Sequence, residues 1–399
     1  MKRMNLDICS VCLQLVRLGI GYGNNSYNLD YTVDWEAVMA LAERQGVSAV
    51  VADGIEYLKV KSEELKVDIS LPPKPVMLQL IGVVLQNYEQ RYKLYCKAIA
   101  ELAGFYNSHG FKMMVLKGFA CALDWPKPEH RPSGDIDIWL FGQQRDADEV
   151  LANTDFTYEG SRGSKSDRNL SKKHIEIDNS HHHHSVFCWR NFVVENHYDF
   201  INVHARRSNA KLERIFKELG DASHLIENIN KGIRIPWMDV YGERVYLPSA
   251  NLHALFLIRH TVAHFAAAEI KLRQVLDWAF FVEKHGDEVD WPWLTGVLEK
   301  FGLRRFFDVL NAICVEDLGF VFNDNVIINV DRELKSRVLE DILEPEFNEK
   351  EPFRLLPRAW FRFRRWRANG WKQQLCYNES RWSCFWSGVW SHLLKPSSI

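Results

Sequence analysis

FKMMVLKGFACALDWPKPEHRPSGDIDIWL, residues 111–140, is the stretch that decides the fold of this 399-residue chain. Two apolar runs lie on either side of a short helical pattern and a proline-rich turn. The predicted order is therefore strand, glycine turn, short helix, loop and strand. Asp135 and Asp137 flank Ile136 at the start of the second run. In a strand, alternation places both carboxylates on one face, roughly 6.5 to 7 Å apart along the backbone.

These two aspartates indicate a divalent cation. Two carboxylates on a buried strand face are costly unless a cation or hydrogen bonds compensate them. Mg²⁺ prefers one or two carboxylates together with substrate phosphates. A solvated strand end is the competing interpretation, but the apolar neighbours Ile138, Trp139 and Leu140 favour the metal.

A hairpin further along the chain is predicted to supply more polar groups. HSVFCW and FVVENHYDFINV alternate as strands, with Arg190 and Asn191 at the turn. In the second strand Glu195, His197 and Asp199 share one face. His197 either orients Glu195, contacts substrate, or is an ordinary strand histidine.

Three ordered segments carry a resemblance to a known family. They are Leu116-Lys117-Gly118 before the short helix, RPSGDID at 131–137, and Val194-Glu195-Asn196-His197. In these segments the chain resembles the uncharacterised nucleotidyltransferase family of the polymerase-beta-like superfamily. The flanking segments RHTVAHF and LRQVLDW resemble it too, so the resemblance covers most of the chain.

The resemblance implies roles for four of these residues. Asp135 and Asp137 would be the metal-binding pair and Glu195 the third carboxylate, and these three would be the catalytic residues. Gly118 would form the turn that lets backbone amides approach a triphosphate. This turn is usually Gly-Ser or Gly-Gly in the superfamily, whereas this chain has Lys117-Gly118. Lys117 either contacts phosphate through its charge or is an exposed lysine at a strand end.

The loop before the second strand supplies further candidates for phosphate binding, namely Arg131, Ser133 and Gly134. A guanidinium group is a planar fork that matches phosphate oxygens. Loop arginines also form surface ion pairs, which is the alternative for Arg131.

Two pairs in the C-terminal half are spaced four residues apart, His260 with His264 and Arg273 with Asp277. Each pair is predicted to share one helical face. One interpretation is a buried hydrogen-bonded network; the other is a cleft wall that contacts the acceptor substrate.

The function implied by the resemblance is transfer of a nucleoside monophosphate from an NTP to a hydroxyl-bearing acceptor, with Mg²⁺ or Mn²⁺ as cofactor. The acceptor, whether a small molecule, sugar, protein or nucleic acid, is left open by the sequence, as is the oligomeric state. The alternative is a catalytically silent nucleotide- or partner-binding module on the same fold. The lysine in place of the usual turn residue favours that alternative.

Composition narrows the class of protein. Lys and Arg number 50 against 52 Asp and Glu, so no global charge argues for nucleic acid or a membrane surface. The eight cysteines form no framework and no leader pattern opens the chain, which predicts a reduced, cytoplasmic protein. No apolar run approaches the ~18 residues of a spanning helix, so no transmembrane segment is predicted.

The predicted fold class is α+β, with a small mixed β-sheet nucleotidyltransferase core and flanking helices between two helical regions. The expected boundaries are 1–110 for the N-terminal helical region, 111–207 for the core, 208–350 for the C-terminal helical region, and 351–399 for a basic, tryptophan-rich helical segment. That last segment either binds nucleic acid or anionic lipid, or packs with a solvated basic face. The run His181 to His184 is interpreted as loop histidines, because four adjacent side chains cannot all face one ion.

Overall fold

The computed structural model describes residues 6–23, 33–66, 70–157, 172–220, 236–322, 330–347, 349, 351–352, 355–380 and 382. The chain divides into two compact units, each assembled from separate stretches of sequence. The first, which we call the helical unit, comprises Met1–Lys93, Cys121–Ser133 and His253–Arg381. The second, the sheet unit, comprises Leu94–Ala120, Gly134–Leu252 and Trp382–Ile399.

The sheet unit contains a six-stranded mixed sheet, which confirms the predicted α+β class. Its strands are β1 (Met114–Val115), β2 (Ile136–Trp139), β5 (His184–Trp189), β6 (Phe192–His197), β7 (Trp237–Val240) and β8 (Glu243–Tyr246), in the order β5-β6-β2-β1-β8-β7. The pairs β1 with β8 and β2 with β6 are parallel, and the other neighbours are antiparallel. A separate ribbon pairs β3 (Phe156–Thr157) with β4 (Lys172–Lys173).

Helices make up most of the remaining described structure. The α-helices are Leu6–Gly19, Trp35–Gln45, Ser48–Leu65, Lys74–Val83, Arg91–Ser108, Phe119–Ala122, Gln144–Asn153, Asn209–Gly220, Ala250–Ala267, Leu272–His285, Trp291–Lys300, Arg304–Ala312, Arg332–Leu343, Leu355–Ala368 and Gly370–Cys376. Shorter turns of π-helix span Val84–Gln90 and Ile313–Asp317, and 3₁₀ turns span Pro128–His130 and Gly286–Glu288. No helix in the described part of the chain is long and apolar enough to cross a membrane.

Side chains and glycine conformation cap several helix ends. Asp34 accepts a hydrogen bond from the amide of Ala37 at 3.0 Å, and Asp290 accepts one from the amide of Trp293 at 3.0 Å. Each aspartate satisfies an amide that the first helical turn leaves without a partner. At the other end of the first of these helices, Gly46 takes the left-handed conformation with φ of 67°.

The β5–β6 hairpin is confirmed, including its turn. Arg190 and Asn191 both have positive φ, 49° and 69°. A two-residue turn of this kind matches the twist of the strands it joins. The ladder then runs from Trp189 opposite Phe192 to His184 opposite His197. β6 ends at His197, so Asp199 lies beyond the strand face predicted for it.

The second hairpin, β7–β8, is not among the predicted elements, because it lies in the region 208–350 that the sequence predicts to be helical. The turn lies at Tyr241 and Gly242, with φ of 52° and 90°, and Asp239 accepts a hydrogen bond from the amide of Gly242 at 2.9 Å. β8 pairs with β1, Met114 opposite Tyr246, so the sheet takes two strands from beyond the expected core of 111–207. The alternating residues around Tyr241-Gly242 were the available signal.

The C-terminal basic segment is described only in part. The helix Leu355–Ala368 is present, and its Trp360 side chain is exposed. The tryptophans Trp386 and Trp390 lie outside the described residues.

A buried ion pair ties together two helices of the helical unit. Lys372 and Asp341 have almost no exposed side-chain surface, and Lys372 Nζ lies 2.5 Å from Asp341 Oδ2. The same ammonium donates to the carbonyl of Ala268 at 2.8 Å and lies 5.0 Å from the ring centre of Phe265. Each of these two buried charges is tolerated in the folded protein only while the oppositely charged partner is present.

Replacing the lysine alone should therefore destabilise the protein strongly. We expect Lys372→Met to lower the free energy of unfolding by about 3–5 kcal/mol, because Asp341 would become a buried, uncompensated charge. The double variant Lys372→Met/Asp341→Asn should recover part of that loss. Urea unfolding followed by circular dichroism measures both. A single variant as stable as wild type would contradict the prediction.

His253 should make the helical unit sensitive to acid. It is buried, its Nε2 lies 3.7 Å from Cys121 Sγ, and burial lowers its pKa from 6.5 to about 4. The folded state thus disfavours the proton that the unfolded state accepts, so stability is lost as pH falls from about 6.5 to 4, by up to about 3 kcal/mol. Urea unfolding between pH 7 and pH 4.5 should show a shallower loss for His253→Asn than for wild type. Equal slopes would contradict the assignment.

Candidate active site

Three neighbouring strands bring the polar residues of the candidate site together. β2 lies between β1 and β6, and the amide of Leu116, next to Lys117, donates to the carbonyl of Asp137 at 2.9 Å. In the parallel β2–β6 ladder Asp137 is paired with Glu195 and Trp139 with His197. Paired residues of adjacent strands project from the same face. The candidate carboxylates Asp137 and Glu195 are thereby placed side by side.

Asp137 is the centre of the cluster. Lys117 Nζ lies 2.8 Å from Asp137 Oδ1, and His197 Nε2 lies 3.2 Å from the same oxygen. His197 Nε2 is also 3.7 Å from Glu195 Oε2. The Asp137 side chain is only 2 % exposed, whereas 21 % of the Lys117 side chain and 23 % of the Glu195 side chain remain accessible. The cluster therefore opens to solvent on the side of Lys117 and Glu195.

Burial and charge act in opposite directions on these groups. Burial opposes ionisation of Asp137, but Lys117 and His197 outweigh it and hold the pKa of Asp137 well below its ordinary value. Burial also disfavours the charged form of Lys117, yet the carboxylates Asp137 and Glu195 raise its pKa overall. For Glu195, burial and then the charge of Asp137 raise the pKa to about 7. A further positive charge would favour ionisation of Glu195.

The donor atoms suit a divalent cation. One ligand atom each from Asp137, Glu195 and His197 lie within 4.8 Å of one another. Carboxylate oxygens are the ligands that Mg²⁺ and Mn²⁺ prefer, and an imidazole nitrogen is compatible with Mn²⁺. Among the described residues, Asp135 is not part of this group. It is exposed and precedes β2 by one residue, and its charge acts on both Lys117 and Glu195.

Gly118 lies at a close approach that a side chain would block. Its φ is +71°, and a Cβ placed there would lie 2.9 Å from Tyr95 Oη and 3.4 Å from the carbonyl oxygen of Asp135. Tyr95 donates a hydrogen bond to that carbonyl at 2.7 Å. Tyr95 was not singled out from the sequence, because a tyrosine on a long amphipathic helix carries no signal of a partner forty residues away. Gly134, by contrast, has open space where a Cβ would lie.

Arg131 belongs to the helical unit and forms a buried bidentate pair. Its Nε lies 2.7 Å from Asp277 Oδ1 and its Nη2 2.9 Å from Asp277 Oδ2, while Nη1 donates to the carbonyl of Pro132. Trp125 Nε1 donates to Asp277 as well, at 3.0 Å. Asp277 thus takes part in a buried hydrogen-bonded network, which is one of the two interpretations given for the Arg273 and Asp277 pair. Arg131 is a partner of Asp277 here, and the phosphate contact predicted for it stays a prediction.

The other candidates from sequence also lie in the helical unit. Ser133 is buried, and its carbonyl accepts a hydrogen bond from Arg91 Nε at 2.8 Å. Burial and the nearby Arg131 charge lower the pKa of Arg273. His260 and His264 share a helix face as predicted, with ring centres 4.4 Å apart. Their suggested contact with an acceptor stays a prediction.

Comparison with known proteins gives one finding. Residues 31–319 match a family described as an uncharacterised nucleotidyltransferase, and this range includes every residue of the cluster around Asp137. Searches of curated proteins and of solved structures give no match.

Gly118→Ala should destabilise the sheet unit for two separable reasons. A left-handed φ costs an alanine roughly 1–2 kcal/mol, and the new Cβ would also press on the Tyr95 hydroxyl. Gly142→Ala is the matched control, since Gly142 has φ of +84° but nothing within 4 Å of its Cβ position.

We therefore expect a larger loss of unfolding free energy for Gly118→Ala than for Gly142→Ala. The difference should shrink in a Tyr95→Phe background, where the hydroxyl is gone. Urea unfolding of the four variants measures this. Equal losses for the two alanine variants would show that the contact with Tyr95 does not matter.

Proposed function

The chain belongs to the uncharacterised nucleotidyltransferase family, and we propose that it transfers a nucleoside monophosphate from an NTP to a hydroxyl-bearing acceptor in a reaction that depends on Mg²⁺ or Mn²⁺. One observation carries the proposal. Asp137 and Glu195 lie in register on adjacent parallel strands, and the Lys117 ammonium contacts Asp137 at 2.8 Å. Two neighbouring carboxylates beside a positively charged side chain suit a site that binds phosphate groups.

Asp137 and Glu195 would hold the cation, and the charge of Asp135, two residues before Asp137, acts on Lys117 and Glu195. Their oxygen donors fit a hard cation that keeps some of its ligands for substrate phosphates. When bound, the cation would neutralise phosphate charge and polarise the oxygens at the reacting phosphorus. His197 holds the Asp137 carboxylate in place from the buried side.

Lys117 and Gly118 would bind the triphosphate. Lys117 is the accessible cation of the cluster and can direct its three donors to phosphate oxygens. Gly118 has positive φ, which glycine adopts at no steric cost, so the turn after Lys117 can form while the Tyr95 hydroxyl fills the space where a Cβ would lie. Lys117 thereby takes the position in which the superfamily usually carries a small turn residue.

The reaction is a displacement at the α-phosphorus. The acceptor oxygen forms a bond to phosphorus as the bond to the bridging oxygen of the leaving pyrophosphate breaks. The acceptor hydroxyl loses its proton to solvent. Because little covalent chemistry falls to the protein, its contribution is to position the groups and to stabilise negative charge.

A second candidate function is nucleotide binding without turnover. The contact between Lys117 and Asp137 favours it, because the ammonium already supplies the positive charge that a metal ion would bring to Asp137. A site balanced in this way can bind phosphate groups through Lys117 while holding no catalytic metal ion.

A transfer assay with α-labelled NTPs tests the proposal. Purified full-length protein is incubated with each NTP, Mg²⁺ or Mn²⁺, and a panel of sugar, nucleoside, peptide and RNA acceptors. We expect label transfer that EDTA abolishes and either ion restores. Asp137→Asn and the double variant Asp135→Asn/Asp137→Asn should lose at least ~100-fold in rate, because metal stabilisation is worth several kcal/mol.

The matched control is Asp239→Asn, the same chemical change at an exposed aspartate of the sheet unit. It should keep the wild-type rate. NTP binding that survives with no product on any acceptor would favour the silent binding module. Neither binding nor transfer, with all variants alike, would overturn both functions.

A further inference from the structure

The histidine run His181 to His184, predicted to be a loop, is in part a β-strand. His184 is the first residue of β5 and lies opposite His197, the last residue of β6. The carbonyl of His183 accepts hydrogen bonds from the amides of Tyr198 and Asp199, at 3.0 and 3.1 Å. The run is therefore fixed to the end of the strand that carries Glu195 and His197.

Three imidazole rings converge at this end of the hairpin. One ring nitrogen each of His183, His184 and His197 lie within 4.8 Å of one another. The ring centres of His183 and His184 are 4.3 Å apart with planes at 82°, and they lie 5.6 and 5.3 Å from the ring centre of His197. Adjacent residues of a strand would point to opposite faces. Here the chain bends at His183, so both rings approach the third.

Two of these rings each have a buried nitrogen without a protein partner. Nδ1 of His183 and Nδ1 of His184 are buried, and neither has a hydrogen-bond partner among the described residues. A buried polar atom left in this state is unfavourable, so a ligand that binds it would stabilise the fold. A neutral imidazole has a lone pair on its unprotonated nitrogen that can bind a metal ion.

The donor set separates this group from the carboxylates. Three nitrogen donors are poor ligands for Mg²⁺ but suit Zn²⁺ and related transition metals. Zn²⁺ is commonly bound by three histidines with a fourth position left to water or substrate. His197 also contacts the carboxylates, because its Nε2 lies 3.2 Å from Asp137 Oδ1 and 3.7 Å from Glu195 Oε2, while its Nδ1 lies 3.3 Å from the carbonyl oxygen of Asp199.

We propose that His183, His184 and His197 form a transition-metal site of the Zn²⁺ class, distinct from the site for Mg²⁺ or Mn²⁺. The ion would connect the start of β5 to the end of β6. Because His197 belongs to both groups, the ion would also orient the imidazole that contacts Asp137 and Glu195. The inference concerns metal binding by the histidines alone and does not depend on nucleotidyl transfer.

Cobalt titration tests the site. Full-length protein without any affinity tag is stripped of metal, kept in millimolar Mg²⁺ and titrated with Co²⁺, whose visible absorption reports coordination. We expect one equivalent to bind and Zn²⁺ to displace it. His183→Asn and His184→Asn should each weaken Co²⁺ binding roughly 100-fold, at least the loss seen when outer-shell partners of metal ligands are removed.

The control is His174→Asn, at an exposed histidine of the same unit, which should bind Co²⁺ like wild type. Circular dichroism checks that the variants fold. X-ray absorption of the Zn²⁺-loaded wild type gives a second measurement that needs no variant, and it should show nitrogen ligands at about 2.0–2.1 Å. Absence of Co²⁺ binding in Mg²⁺, equal affinity in all variants, or an oxygen-only shell would overturn the proposal. Transfer activity is not part of the readout, so the two proposals can fail separately.

Discussion

The burial of Asp137 is the constraint on which the candidate site depends. A carboxylate on the central strand of a sheet, with 2 % of its side chain exposed, is tolerated only if charged or hydrogen-bonding partners reach it. Lys117 reaches it from the turn after β1, and His197 reaches it from the end of β6. The strand order, with β2 between β1 and β6, supplies both partners at once.

The turn after β1 is held by contacts that have no direct chemical role. Tyr95 on the helix Arg91–Ser108 donates to the carbonyl of Asp135, and the same hydroxyl limits the space at Gly118. One side chain therefore fixes the start of the aspartate-bearing strand relative to the turn at Lys117-Gly118. A small displacement at either point would move Lys117 away from Asp137, and positioning of this kind is what phosphoryl chemistry requires from a protein.

The RPSGDID motif is continuous in sequence but its residues have different structural partners. Arg131 and Ser133 belong to the helical unit, where Arg131 pairs with Asp277. Asp135 and Asp137 belong to the sheet unit. A buried bidentate pair would leave an uncompensated charge if one partner moved, so Arg131 serves the packing of its own unit. Residues that are neighbours in this motif therefore contact different partners.

Local pattern was sufficient for much of the fold. Asp34 and Asp290 are N-caps because a short acceptor placed before a helix satisfies free amides wherever the rest of the chain lies. The β5–β6 hairpin and its turn at Arg190 and Asn191 follow from alternation and a two-residue connection. The sequence also singled out Asp137 and Glu195, which lie in register on adjacent strands, and Asp135, which precedes β2 and lies outside their group.

Tertiary structure decided the partners. Asp137 lies beside Glu195, Lys117 and His197 converge on Asp137, and β8 pairs with β1. All of these contacts join residues that are far apart in sequence. They depend on strand order, which no local pattern encodes. By itself the sequence determined the chemical groups and their faces; the fold decided which charges meet, because the energy of a buried charge depends on what surrounds it in space.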